Sequence, residues 1–362
     1  MNLPLRTVHV NLEERSYDIE IGGSLLDGLA SRIQQIRAVT HAVIITDSNL
    51  QNYSQAIDAS FSTAGIRTNA FVVPAGERSK SIQQISTLWD ELLACSTDRK
   101  SIVVAVGGGV IGDLAGFVAA SFTRGLDFVQ VPTSLLAMVD SSVGGKVGIN
   151  LTGAKNMVGH FWQPLHVAID LGVLQTLPDR DYRSGLAEII KYGVILDEEF
   201  FDYLENSVAK INDRDANTLS EIIRQSCRLK AHVVENDERE TTGLRAVLNY
   251  GHTFAHAFEA VCGYGELMHG EAVSIGMLCA SRLAESMGRI TPSDTRRQFD
   301  LLAAVRLPTK VPKSDIDQLV AAMQKDKKVA HGKLRFILPS RIGHVELVSD
   351  VDEALVRAAI AD

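Results

Sequence analysis

Between Leu248 and Met277 the chain reads LNYGHTFAHAFEAVCGYGELMHGEAVSIGM, which sets His252, His256 and His269, three of its ten histidines, among apolar, helix-forming residues. His252 and His256 are four apart and share one face of a helix, and His269 with Glu271 opens the next helical run after the Gly263-Tyr264-Gly265 break. Two helix ends can therefore meet around one ion. Neutral imidazoles with a carboxylate suit a divalent transition metal, and three protein ligands with an open fourth position describe a catalytic site rather than a structural one. Taken alone, an HxxxH pair is more often two ordinary helix-surface histidines, and the metalloprotease spacing with its adjacent Glu is absent.

A second constellation follows the strand Ser101–Val106, which runs into Gly107-Gly108-Gly109-Val110-Ile111-Gly112-Asp113 and then an Ala-rich helix. Glycines at a helix start let backbone amides approach a pyrophosphate closely, helped by the helix dipole. Gly107, Gly109 and Gly112 fit GxGxxG between strand and helix, but the usual acid some twenty residues on is missing. A further strand, Phe128–Val131, leads to Thr133-Ser134 and to a second Gly-rich loop, Gly144-Gly145-Lys146-Val-Gly148, followed by Lys155 and Asn156, which supply donors for phosphate oxygens. His41–Asp47 reads as a buried strand ending on an acid, a position that holds a ribose hydroxyl or, more commonly, caps the next helix.

These groups need a scaffold, and 362 residues exceed what one core usually supports. Residues 8–21 alternate as an opening hairpin; Gly22-Gly23-Ser24 reads as the cap of a helix of about twelve residues. Strands then alternate with helices up to His166–Asp170, which closes the sheet. The fold class is α/β, with an N-terminal Rossmann-like doubly wound sheet domain over 1–177 and a mainly α-helical domain over 178–362. In the second, helices are expected over 197–210, 215–236, 243–262, 267–288, 293–304 and 314–325, then two strands turning at Pro339-Ser340 and a closing helix. Glu188 and Lys191, three apart, can face one site together, although such pairs usually lie on a surface. A site between a nucleotide-binding sheet and a helical domain suits a small-molecule enzyme.

The net charge of -8, with no Lys/Arg run, argues against a nucleic-acid or anionic-membrane surface while leaving room for a local basic pocket. Four cysteines without a CxxC read as reduced thiols, and there is neither a long apolar run nor a signal peptide, so the expected compartment is the cytoplasm.

Six stretches resemble the 3-dehydroquinate synthase family of the shikimate pathway: GGGVIGDLAGFVAASFTRG at 107–125, VPTSLLAMVDSSVGGKVGIN at 131–150, AKNMVGHFWQP at 154–164, SGLAEIIKYG at 184–193, NDERETTGLRAVLNYGHTFAHAFE at 236–259 and HGEAVSIGM at 269–277. They span both domains in the family's order. The resemblance implies bound NAD, one divalent metal (Zn or Co), a homodimer, and conversion of an anionic sugar phosphate, 3-deoxy-D-arabino-heptulosonate 7-phosphate, to 3-dehydroquinate and phosphate. By position it makes Glu188, His252 and His269 the metal ligands, replacing the His252/His256 pair suggested by spacing, and moves His256 beside the substrate. It assigns Asp47, Asn49, Glu77, Lys80, Gly108, Gly109, Val110, Asp113, Thr133, Ser134, Leu136, Asp140, Lys155 and Thr176 to the NAD environment. Substrate contacts become Arg124, Lys146, Asn156, Lys191, Lys230, Glu240, Arg245, Asn249 and His256, with Lys327 or Lys328. A doubly anionic substrate explains why an acidic chain would gather so many cations.

The chain departs from the family's common form at AGERSKS, at PTS, at Met138 and in the length of DERETTGLR. Sister sugar-phosphate cyclases, such as 2-deoxy-scyllo-inosose or valiolone synthases, share fold, NAD and metal; Lys230 and Asn249 match the carboxylate-handling pattern instead. A metal-dependent alcohol dehydrogenase of similar build needs no such set of cations.

Overall fold

The computed structural model describes residues 3–263, 266–325 and 334–361. By its internal contacts the chain divides into two compact units, Met1–Leu177 with Lys230–Glu235, and Pro178–Leu229 with Asn236–Asp362.

The first unit runs β1 (Arg6–Val10), β2 (Tyr17–Gly22), α1 (Leu29–Ile36), β3 (His41–Asp47), α2 (Gln51–Thr63), β4 (Arg67–Val73), α3 (Ile82–Ala94), β5 (Ser101–Gly107), α4 (Gly109–Ser121), β6 (Asp127–Pro132), β7 (Lys146–Leu151), β8 (Ala154–Phe161) and β9 (His166–Asp170). Seven strands form one sheet in the order β1-β2-β9-β6-β5-β3-β4, parallel except for the β1–β2 hairpin. Burial on both faces explains why β3 and β5 are continuous apolar runs instead of alternating ones. From β3 the chain goes outward to β4, then crosses back to β5 and on to β6. The crevice at the carboxyl ends of β3 and β5 is thus a topological switch point, where sheets of this kind bind ligands. Asp47 ends β3 there, and Gly107 ends β5.

Four expectations change in this unit. The helix expected after Ser24 begins only at Leu29, after a short 3-10 turn, because Ser24 takes a left-handed φ of 57° and offers no cap. Asp47 does not cap α2 either; its Oδ1 accepts the Asn49 backbone N–H at 2.8 Å and closes a turn before the helix. The strand β9 is interior, between β2 and β6, and joins the hairpin to the parallel strands. The Gly-rich stretch from Lys146 is an antiparallel hairpin, β7–β8, not a loop. Val147 and Ile149 alternate into the core beside α4, a pattern masked by the glycines around them.

The second unit runs α5 (Asp179–Leu196), α6 (Glu198–Asn212), α7 (Ala216–Asn236), α8 (His252–Cys262), α9 (His269–Ser286), α10 (Pro292–Ala304), α11 (Ile316–Lys325), β10 (Arg335–Arg341), β11 (His344–Ser349) and α12 (Glu353–Ala361). Within α7, Lys230–Glu235 are the residues counted with the first unit. The expected helix start at 243 is instead a loop and a 3-10 turn, bounded by Gly243 (φ 85°) and Gly251 (φ 77°). The turn between β10 and β11 lies at Gly343, not at Pro339-Ser340; Pro339 sits inside β10, where the pairing register shifts.

Candidate active site

Three helices of the second unit converge because glycines let their backbones touch. Gly251 takes a left-handed φ of 77° just before α8, and a Cβ there would lie 2.7 Å from the Met277 backbone nitrogen. A Cβ on Gly276 would come within 2.3 Å of the Gly251 carbonyl, and one on Gly270 within 1.9 Å of the Ser184 carbonyl. So α9 lies against both α8 and α5 at backbone distance. That packing sets Glu188, in mid-α5, opposite His252 and His269, the first residues of α8 and α9.

Glu188 is fully buried, and the Nε2 atoms of His252 and His269 each stand 3.7 Å from its Oε1. One ligand atom from each of the three lies within 4.8 Å of the others, a group picked out among the described residues. Metal bonds of about 2.0–2.2 Å in a tetrahedral arrangement separate donors by about 3.4 Å, so two imidazoles and a carboxylate at these spacings suit a zinc or cobalt ion. The ring orientations agree. His252 Nδ1 meets the Tyr250 carbonyl at 3.1 Å and His269 Nδ1 meets Glu259 Oε1 at 3.2 Å, which leaves both Nε2 atoms for an ion. His256 stands outside the group, its ring 5.6 Å from that of His252, so the spacing-based pair gives way to the triad. Glu271 is elsewhere too: it caps Met268 and holds Arg180 through two bonds of 2.7 Å.

Burial, and then the neighbouring Lys191 ammonium, hold the His252 imidazole well below its ordinary pKa. For His269 burial pulls downward, but the carboxylates of Glu188 and Glu259 outweigh it and raise the ring to about 10. The charge that draws a proton onto one imidazole is the charge a divalent ion would meet. Lys191 is also buried, and its Nζ touches Glu188 Oε2.

In the first unit the turn after β5 carries four glycines, Gly107, Gly108, Gly109 and Gly112, with different surroundings. A Cβ on Gly107 would fall 2.4 Å from Ile111 Cβ, and one on Gly112 3.0 Å from Gln130 Oε1, so those glycines serve the packing of α4. Cβ atoms on Gly108 and Gly109 would meet serine side chains, Ser134 Oγ at 3.4 Å and, more tightly, Ser141 Oγ at 3.1 Å. A helix N-terminus preceded by small residues is an arrangement that suits a phosphate group. Beside it Lys80, buried, binds Asp113 Oδ2 at 2.6 Å and Asn156 Oδ1 at 2.5 Å, while Asn150 Nδ2 reaches Glu77 Oε1 at 2.8 Å and its Oδ1 accepts the Asn156 N–H at 2.8 Å. Burial raises the Asp113 carboxyl, with Lys80 pulling it back. A 420 Å³ cavity is lined by Asp113, Lys146, Asn156 and His160 among others. Asn156, assigned by resemblance to substrate, is thus drawn into the Lys80 network.

The remaining assigned residues fall in several places. Thr133 is buried and donates its N–H to the Gly107 carbonyl; Ser134 Oγ accepts the Ala137 N–H at 3.2 Å, opening a π-turn over Ala137–Ser141 that contains Asp140 and follows Leu136. Lys230 Nζ binds both the carbonyl and Oδ1 of Asp140 at 2.5 Å. Thr176 Oγ1 pairs with the Tyr53 hydroxyl at 2.6 Å. Val110 is half-buried on the first turn of α4, Asn49 is exposed beyond β3, and Lys155 is exposed on β8. Arg124 follows the C-terminal end of α4, just before Gly125, where a Cβ would fall 2.4 Å from the Trp162 ring. In the second unit Arg245 is buried, its Nη1 bonded to the Glu238 carbonyl at 2.7 Å and its Nε 3.6 Å from Glu240 Oε1, with Asn249 on the same 3-10 turn. Asp237 organises that loop by accepting the N–H groups of Thr241, Thr242 and Arg245, which hold its carboxyl down at about 2. Lys327 and Lys328 lie outside the described residues.

Sequence reading missed Glu259, Asn150 and Arg180. For Glu259 a signal existed, since positions 252, 256 and 259 follow the i, i+4, i+7 spacing of one helix face.

Two family models match, "3-dehydroquinate synthase N-terminal" over residues 70–184 and "3-dehydroquinate synthase C-terminal" over 185–329. A 3-dehydroquinate synthase of Rhodopirellula baltica is 52% identical over 367 residues, covering 99% of this chain and 98% of the relative. Among solved structures, 2-deoxy-scyllo-inosose synthase complexed with carbaglucose-6-phosphate, NAD+ and Co2+ superposes with a TM-score of 0.90 at 27% identity, covering 98% and 99% of the two chains. The 2-epi-5-epi-valiolone synthase of Streptomyces hygroscopicus subsp. jinggangensis, with NAD+ and Zn2+ bound, gives a TM-score of 0.87 at 30% identity over 97% of each chain.

Proposed function

This chain belongs to the 3-dehydroquinate synthase family, and we infer from that premise how its residues carry the reaction. It is a phosphate-eliminating carbon-oxygen lyase that uses NAD and one divalent metal and forms 3-dehydroquinate from 3-deoxy-D-arabino-heptulosonate 7-phosphate. The course is oxidation, phosphate elimination, reduction, ring opening and intramolecular aldol closure. When bound, NAD would supply a reversible hydride acceptor, and a divalent ion held by Glu188, His252 and His269 would supply Lewis acidity toward the substrate's hydroxyls.

The observation that carries the residue-level reading is the convergence of Glu188, His252 and His269 with both Nε2 atoms turned toward one point. These three would hold the metal. Lys191, which touches Glu188, is a proposed donor to the substrate; Arg245, Asn249 and His256 of the same unit, with Glu240 and Lys328, are the other proposed substrate groups there. In the first unit the turn at Gly108-Gly109-Val110 would take the cofactor's pyrophosphate, with Lys80 neutralising Asp113 beside it. Asp47 at the switch point would take a ribose hydroxyl. Lys146, Lys230, Asn156 and Arg124 are that unit's proposed substrate contacts. What the chain contributes is chiefly position and fixed charge, since elimination and aldol closure need an acidified, oriented substrate more than a strong external base. A homodimer working in the cytoplasm completes the proposal, supported by the family resemblance.

The test is phosphate release from 3-deoxy-D-arabino-heptulosonate 7-phosphate with NAD far below substrate, following nicotinamide absorbance in parallel. Many phosphates per NAD with no net NADH is the expected result. No phosphate, or NADH accumulating one for one with product, would overturn it and point to a sister cyclase or a dehydrogenase.

A further inference from the structure

Glu259 lies two turns along α8 from His252, on the same helix face, and its Oε1 reaches across to His269 Nδ1 at 3.2 Å. Its side chain is only 15% exposed. The two histidines of the metal centre are thereby backed differently: His252 by the neutral carbonyl of Tyr250, His269 by a carboxylate. We propose that Glu259 is a positioning residue for the metal, fixing His269 in the tautomer with Nε2 bare and making that nitrogen the stronger imidazole donor of the pair. The inference rests on the metal reading of Glu188, His252 and His269.

The physical reason is that an imidazole whose N–H points at an anion gains negative charge on its other nitrogen, whereas a carbonyl fixes orientation with less gain in basicity. The contact also ties α8 to α9, so a bland alternative exists in which Glu259 only joins two helices. The two roles separate on substitution. Glu259→Gln keeps the size of the side chain and an oxygen acceptor but removes the charge; Glu259→Ala removes both.

The full-length enzyme loaded with Co2+ is challenged with graded chelator, and its ligand-field spectrum is recorded for the parent, Glu259→Gln and Glu259→Ala. Far-ultraviolet circular dichroism and thermal midpoints are taken for the stripped proteins. Expected are Co2+ affinity about 10- to 100-fold weaker in Glu259→Gln with a shifted spectrum, weaker still in Glu259→Ala, and stripped Glu259→Gln folded like the parent. Affinity and spectrum of Glu259→Gln within about twofold of the parent would overturn the proposal, as would a loss of affinity that merely tracks loss of fold. A parent chain that takes up no Co2+ would overturn the metal reading and this inference with it; a parent that binds while Glu259→Gln matches it overturns this inference alone.

Discussion

At the proposed nucleotide turn the groups come from one continuous strand-turn-helix passage, whereas at the proposed metal centre they come from three separate helices. The difference shows in the glycines. At the turn, a Cβ on Gly108 or Gly109 would meet a serine side chain, at 3.4 and 3.1 Å; at the candidate metal centre, one on Gly251, Gly270 or Gly276 would meet backbone, at 1.9–2.7 Å. One set lies where the proposed cofactor phosphates would meet the start of α4. The other makes the site itself, by setting how closely α5, α8 and α9 approach.

The largest effect should come from the side chains at the point of convergence. His252→Ala or His269→Ala should lower turnover by about a thousandfold or more and abolish stoichiometric metal, with NAD affinity, measured by fluorescence titration, within about twofold of the parent. A parallel loss of NAD binding would break the contrast between a local and an assembled site. The glycines come next. Gly270→Ala, with its Cβ 1.9 Å from the Ser184 carbonyl, should cost about 2–4 kcal/mol in denaturant unfolding. Gly109→Ala should change stability by less than about 1 kcal/mol, because alanine favours the helix, yet weaken NAD binding about tenfold or more. Equal stability losses in the two would show that both glycines serve packing.

The smallest effect concerns acid. Asp237 has a carboxyl lowered to about 2 by the Thr242 N–H and its other backbone donors, against an unfolded value of about 3.9. A depressed folded pKa means that its stabilisation is fully present above the unfolded value and is lost as pH falls from about 4 through about 2. In Asp237→Asn the acid-unfolding curve should therefore be flatter in that window, and an unchanged curve would remove Asp237 as the anchor of the Arg245 loop.

The same contrast decides what was legible in the sequence. Strand, turn and helix from Ser101 to Ser121 are written in consecutive residues, so the α/β class and the Gly-rich turn between β5 and α4 could be read directly. The group of Glu188, His252 and His269 could not be read from spacing, which favoured His252 with His256, because Glu188 arrives through tertiary packing; the family resemblance proposed it. The hairpin β7–β8 was hidden because Gly144, Gly145 and Gly148 look like loop, while the apolar alternation that makes it a strand is two residues deep, Val147 and Ile149. Glu259 was overlooked because a glutamate on a helix reads as surface until the facing helix is known.

The backbone contacts at Gly251, Gly270 and Gly276 also bear on how a collection of random variants would behave. None of the three has a side chain to offer a substrate, yet each stands where any other residue would push a helix, and with it a ligand, out of place. A selection that scores growth or turnover alone would rank them beside His252 and His269. Only a readout separating folded abundance from turnover per folded molecule would tell the positions that hold the chemistry from those that hold the frame.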